Sequence, residues 1–301
     1  MTAGRSQAPR LVVSIGDRFN RELYFRIYDR FRKRPPSDEI EKLAFLKSIA
    51  TEEASAENAP ALLQAWTHLR EAEKLSGFLN SGGFVLYLGC VQQRWLTRPF
   101  VPFPEELTSE EKCHYRRFQF QARTEQHADS LTDLQADHLY AGWGASRLAG
   151  RLLGRIEAST QDARRLLLSP GLKNRYDLLA KRLEAFACLT RNARNAISYQ
   201  AQLDRVRALA LKPEFNPPGG TQSGWDRQLM METARAEIDN TAVLRALLQS
   251  TSEPLLHLAA SPEEEDIRVL GPNLIEQLQR KLDIMNAHWE DYKRIFTTPN
   301  L

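Results

Sequence analysis

Apolar side chains recur at helical spacing along most of the chain. Phe19, Leu23, Ile27 and Phe31 fall every four residues, with Tyr24 and Tyr28 beside them, until Pro35-Pro36 stops the run. Ser37 stands where it can cap a second helix carrying Ile40, Leu43, Leu46 and Ile49. A third helix is predicted over 57–75, with Leu62, Trp66 and Leu69 on one stripe. The pattern then breaks. Gly77, Gly82, Gly83 and Gly89, followed by Pro99, Pro102 and Pro104, exclude a long helix and predict a connector over 76–107. It is dense in rings: Phe78, Phe84, Tyr87, Trp95, Phe100 and Phe103. Either these rings pack the connector onto neighbouring helices, or Trp95 and Arg98 face a ligand.

Helical spacing resumes at Thr108-Ser-Glu-Glu111, which has the form of a capping box. The helix it opens is predicted to reach about residue 139, carrying Tyr115, Phe118, Ala122, Leu131 and Leu134. Gly142-Trp-Gly144 interrupts, another helical stretch runs to about 168, and Ser169-Pro-Gly171 makes a turn. From 173 to 211 neither proline nor glycine occurs, and Tyr176, Leu179, Leu183, Phe186, Ala193 and Ile197 keep steps of three and four. A loop over 213–224 precedes a helix over 226–250, and Ser261-Pro-Glu-Glu264 is a second capping box. The last helix is predicted from Pro272. Its stripe of Ile275, Leu278, Leu282, Met285, Trp289, Tyr292 and Phe296 is the most regular in the sequence and demands a partner. No fixed-length repeat accompanies these helices. The fold expected is all-α, an irregular bundle of about eight to ten helices with one long aromatic-rich connector. A single domain over 1–301 is expected, because the 173–211 helix can bridge both halves; a subdivision would fall between 1–141 and 145–301.

Charge and composition narrow the function classes. Lys+Arg is 41 against Asp+Glu 38, with the signs interspersed, so no basic face suited to nucleic acid is evident. The densest cationic stretch, Arg26 to Arg34, reads as the solvated end of an amphipathic helix. The longest apolar stretch, Phe84 to Val91, falls far short of the roughly 20 residues that span a bilayer. Met1 to Arg10 is polar and resembles no export signal, so a cytoplasmic location is expected for the chain as written. Cys90, Cys113 and Cys188 are too widely spaced for a disulfide framework or zinc site and read as buried small hydrophobes.

Signals for chemistry are sparse. No nucleophile elbow, phosphate loop, dinucleotide fingerprint or zinc-protease motif occurs, so no catalytic residue, cofactor or metal ligand is assigned. His127 and His138 share a helix face but lie about 16 Å apart along it, too far to share a metal. The long helix carries a polar face instead: Asn192, Asn195 and Tyr199, with Gln202, Arg191, Arg194 and Asp204 nearby. Amides and a phenol suit a polyhydroxylated ligand such as a carbohydrate, and they equally suit a polar seam between packed helices. The closing stripe has two fates as well. Leu278, Leu282, Met285, Trp289 and Tyr292 are covered by earlier helices, or they form a homodimer or partner surface.

Several segments together resemble the helical region that follows the catalytic barrel in large multidomain glycoside-hydrolase-like proteins of the α-glucuronidase kind. They are Gly16-Asp-Arg-Phe-Asn-Arg-Glu-Leu-Tyr24, Ala65-Trp-Thr-His-Leu-Arg-Glu-Ala72, Arg98-Pro-Phe-Val-Pro-Phe-Pro-Glu-Glu-Leu107, and Gly271-Pro-Asn-Leu-Ile-Glu-Gln-Leu278 running into His288-Trp-Glu-Asp-Tyr292. In such proteins the catalytic carboxylates belong to the barrel, and this chain lacks the strand–helix alternation that builds one. The resemblance implies a non-catalytic helical module that gives packing or interaction surface to a barrel-bearing partner. An independent helical scaffold and a small glycan-active enzyme are the alternatives.

Overall fold

The computed structural model describes residues 21–81, 96–117, 141–210, 221–261 and 270–297. Among them the protein is all-α: eight α-helices, one short 3-10 turn, and a lone bridge between Leu258 and Leu270 where the Ala259 N–H donates to the Leu270 carbonyl at 2.7 Å. No described helix is long and apolar enough to cross a membrane. The chain divides into two compact units, Met1–Leu63 and Gln64–Leu301.

In the first unit, α1 spans Arg21–Lys33 and ends where Pro35-Pro36 can supply no further amide donors. Helix α2 spans Glu39–Ser81 and so continues into the second unit. Its N-terminus is capped one residue later than the sequence suggests. Asp38 Oδ1 accepts the Glu41 N–H at 2.8 Å, while the Ser37 hydroxyl and N–H both donate to the Glu41 carboxylate. The two helices predicted over this region are one, broken at Ser55, whose φ of 72° is outside the helical range. Arg26 pairs with Glu53 and Arg30 with Glu52, and Phe31 meets Phe45 edge-on with centroids 6.5 Å apart.

In the second unit α2 carries helical geometry past Gly77, so the connector's first residues, 76–81, are helix. The part of the connector described beyond it, 96–107, is packed down. Leu96, Phe100, Val101, Phe103 and Leu107 are buried, and Pro104–Glu106 forms the 3-10 turn. Thr108 and Glu111 close the predicted capping box in both directions, at 3.2 Å and 2.9 Å, and open α3 (Ser109–Arg117). Helix α4 spans Ala141–Leu167, so Gly142 and Gly144 are helical. The turn at Ser169-Pro-Gly171 leads into α5 (Lys173–Ala210), followed by α6 (Thr221–Gln249). The final predicted helix is two, α7 (Leu274–Ala287) and α8 (Asp291–Thr297), separated by a turn at His288 to Glu290.

Helix α5 is the axis of this unit. It packs against α4 and α6, and α6 packs against α7 and α8. Small residues allow the close approach: Ala185, Ala187, Ala193, Ala196 and Ala201 are buried along α5. The main core joins Leu75 and Leu79 of α2, Phe100, Ile156 of α4, Ile197 and Leu203 of α5, Met230 and Ile238 of α6, Met285 of α7, and Tyr292 and Ile295 of α8. A second cluster gathers Leu96, Cys188, Leu244, Leu255, Leu274 and Leu278. Cys188 thus behaves as a small hydrophobe, whereas Cys113 on α3 is exposed.

Candidate functional site

The polar face predicted on the long helix lies inside the core and closes on one carboxylate. Asn192 and Asn195, three residues apart on α5, point to α6, where Glu237 is buried. The Asn192 amide donates to Glu237 Oε1 at 2.7 Å and the Asn195 amide to Oε2 at 2.8 Å. Thr241, one turn further along α6, donates to Oε1 at 3.2 Å. The countercharge comes from α7. Lys281 has no exposed side-chain surface; its ammonium donates to Glu237 Oε1 at 2.5 Å and to the Leu96 carbonyl at 2.9 Å. The Phe100 ring lies 5.1 Å from the same ammonium. Burial disfavours the charged lysine and lowers its pKa, against the pull of Glu237.

Tyr199 extends this centre towards α8. Its ring stacks on Phe100 with centroids 4.6 Å apart, and its hydroxyl is hydrogen-bonded to the Tyr292 hydroxyl at 2.9 Å. Tyr292 also donates to the Phe100 carbonyl at 3.0 Å. Further along α5, Arg191 donates to Glu157 of α4 at 2.7 Å and to Asn240 of α6 at 3.1 Å, and Asn240 donates to the Cys188 carbonyl at 3.0 Å. Hydrogen bonds thus link α4 to α5 and α5 to α6 through a line of buried or half-buried polar groups.

A second polar cluster fastens the 104–117 stretch to the C-terminal helices. Glu106 takes a bidentate pair of bonds from Arg294 at 2.6 and 2.8 Å, and Glu110 one from Arg280 at 2.6 Å. His288 lies between two carboxylates, with Nδ1 2.7 Å from Asp291 and Nε2 3.3 Å from Glu111. Burial works against its charged form, but the bonds to Asp291 and Glu111 outweigh that and raise its pKa.

Of the residues proposed from sequence for ligand binding, Asn192, Asn195 and Tyr199 come together at this centre, and Arg98 is buried in the packed connector. Trp95, His127, His138 and the second capping box over 261–264 lie outside the described residues, wholly or in part. The residues proposed as an interaction surface sit in the two core clusters, Leu278 in the second and the others in or against the main one. Leu278, Leu282, Met285 and Tyr292 are buried, and Trp289 is half-buried beneath Arg235, whose guanidinium is 4.1 Å from the ring centroid. Sequence reasoning missed Glu237 and Lys281, although their register marks them. Lys281 falls between Leu278 and Met285 on the buried stripe, and Glu237 between Ala234 and Thr241. Among the described residues no group of three or more His, Cys, Asp and Glu is arranged to hold a metal ion. Chemically, the centre is a set in which an ammonium, two amides and a hydroxyl all donate to one buried carboxylate.

No family model, curated protein or solved structure matches this chain.

Proposed function

We propose that this chain is a non-catalytic helical module that works through the surfaces it presents. The observation that carries this reading is the direction of the interior polar side chains: Asn192, Asn195 and Lys281 all end on Glu237. These are the groups best suited to recognise a polyhydroxylated ligand, and they are engaged in holding helices together. The link to carbohydrate-active proteins is carried by the sequence segments alone, and it makes a barrel-bearing glycoside-hydrolase-like protein the first partner to examine.

The test is thermal unfolding in the presence of neutral and uronic-acid-containing oligosaccharides, on the unmodified chain and on Glu237→Gln. The expected result is no oligosaccharide-dependent rise in Tm for either. A rise in the unmodified chain that Glu237→Gln abolishes would make the interior centre a glycan site and overturn the proposal.

A further inference from the structure

Helix α3 depends on its ties to the bundle. It has 9 residues, fewer than an isolated helix needs to hold together in water. Ser109, Glu110 and Cys113 are exposed, and Leu107, just ahead of the helix, packs with Val101 and Ile284. Among the described residues, polar contacts dock the helix itself. Glu110 meets Arg280 at 2.6 Å, Glu111 meets His288 at 3.3 Å, and His114 Nε2 lies 3.1 Å from the Thr97 carbonyl.

Glu111 joins two tasks in one carboxylate. Its Oε2 accepts the Thr108 N–H at 2.9 Å and the Thr108 hydroxyl at 2.8 Å, closing the cap that starts the helix. Its Oε1 faces His288 Nε2, while Nδ1 of the same ring is 2.7 Å from Asp291 of α8. Glu106 of the 3-10 turn adds a further carboxylate to the surroundings of His288, and Arg294 of α8 pairs with both Glu106 and Asp291. Both ring nitrogens donate only while the imidazole is charged; a neutral ring keeps one proton. That proton stays on Nδ1, because Asp291 is the closer carboxylate and is only three residues away. Nε2 then turns a lone pair towards Glu111, and the carboxylate that caps α3 loses this tie to the bundle. We propose that α3 is a strap closed by His288, docked and helical while the imidazole is charged, undocked and frayed once it is neutral. Burial opposes the charge on His288, but the bonds to Asp291 and Glu111 outweigh it and raise the pKa. The strap is therefore closed in mildly acidic solution and opens as pH rises through the raised value.

Hydrogen exchange of the full chain at about pH 6 and about pH 8, on either side of the histidine range, tests it. Rates are corrected for intrinsic exchange and read by mass spectrometry. Between the two conditions the α3 amides should lose about fivefold in protection, the worth of one partly exposed ion pair, while the α5 amides keep theirs. In His288→Gln the α3 amides should show the lower protection at both pH values. In His288→Lys, which keeps a cation at this place, they should show the higher protection at both. Equal α3 protection at both pH values in the unmodified chain would overturn the proposal. So would a pH dependence that survives in His288→Gln, opening at the higher pH in His288→Lys, or loss of protection in α3 and α5 together.

Discussion

At the scale of single residues, burial decides what a side chain does chemically. Cys188 sits fully within the second core cluster, and burial, with the nearby Glu184 charge adding to it, pushes its thiol up to about 12. Cys113 on α3 is exposed. Since the thiolate is the reactive form, iodoacetamide at pH 8 should alkylate Cys113 in the folded chain and leave Cys188 unmodified until denaturant is added. Peptide mapping by mass spectrometry reads both sites at once, and rapid native labelling of Cys188 would contradict the burial described. The sequence shows only that the cysteines are isolated. Which of them is inside depends on helix register: Cys188 shares the inward face of α5 with Ala185, whereas Cys113 on α3 is surrounded in sequence by acidic and basic residues.

At the scale of elements, the break between α7 and α8 shows where local reading stops. The stripe Leu278, Leu282, Met285, Trp289, Tyr292 keeps helical spacing throughout, so one continuous helix is the natural expectation, yet the helix breaks at His288. Part of what holds that turn is Glu111, 177 residues away in sequence. Ser55 is a similar case, since no glycine or proline at the site announces a φ of 72°. The His288 clasp also has a definite pH signature. With its folded pKa raised, His288 contributes fully below its unfolded value and loses that contribution as pH rises through the folded one. Glu111 and Asp291 are each opposed by burial, but bonds from Thr108 to Glu111, and from His288 and Arg294 to Asp291, hold both below their ordinary values. Their contribution is therefore present above the unfolded carboxylate range and lost as pH falls through the lowered values. The stability difference between the unmodified chain and His288→Gln, measured by urea unfolding, should be greatest between about pH 4.5 and 6.5. It should shrink on the alkaline side. A difference that grows steadily above pH 7 would contradict the clasp.

At the scale of the whole molecule, helicity and most helix positions were legible because amphipathic periodicity and capping boxes are local, as the predicted 173–211 helix and the observed Lys173–Ala210 illustrate. The candidate residues Asn192, Asn195 and Tyr199 were legible as a polar face on that helix. Their partners were not, because Glu237 and Lys281 lie 45 and 89 residues beyond Asn192, and only packing brings them to it. That centre ties α5, α6, α7 and the packed connector into one unit, and its electrostatics leave little freedom. Removing one member of a buried pair strands the other charge at a cost of about 3–5 kcal/mol, whereas removing both charges together costs far less. A double-mutant cycle by urea unfolding at pH 7 on Lys281→Met, Glu237→Gln and the two combined measures this coupling. A loss of about 3–5 kcal/mol is expected for Lys281→Met, with about 1–3 kcal/mol recovered when Glu237→Gln is added. If both single variants unfold within about 0.5 kcal/mol of the unmodified chain, as exposed surface changes do, then Lys281 and Glu237 are not the buried centre of this fold.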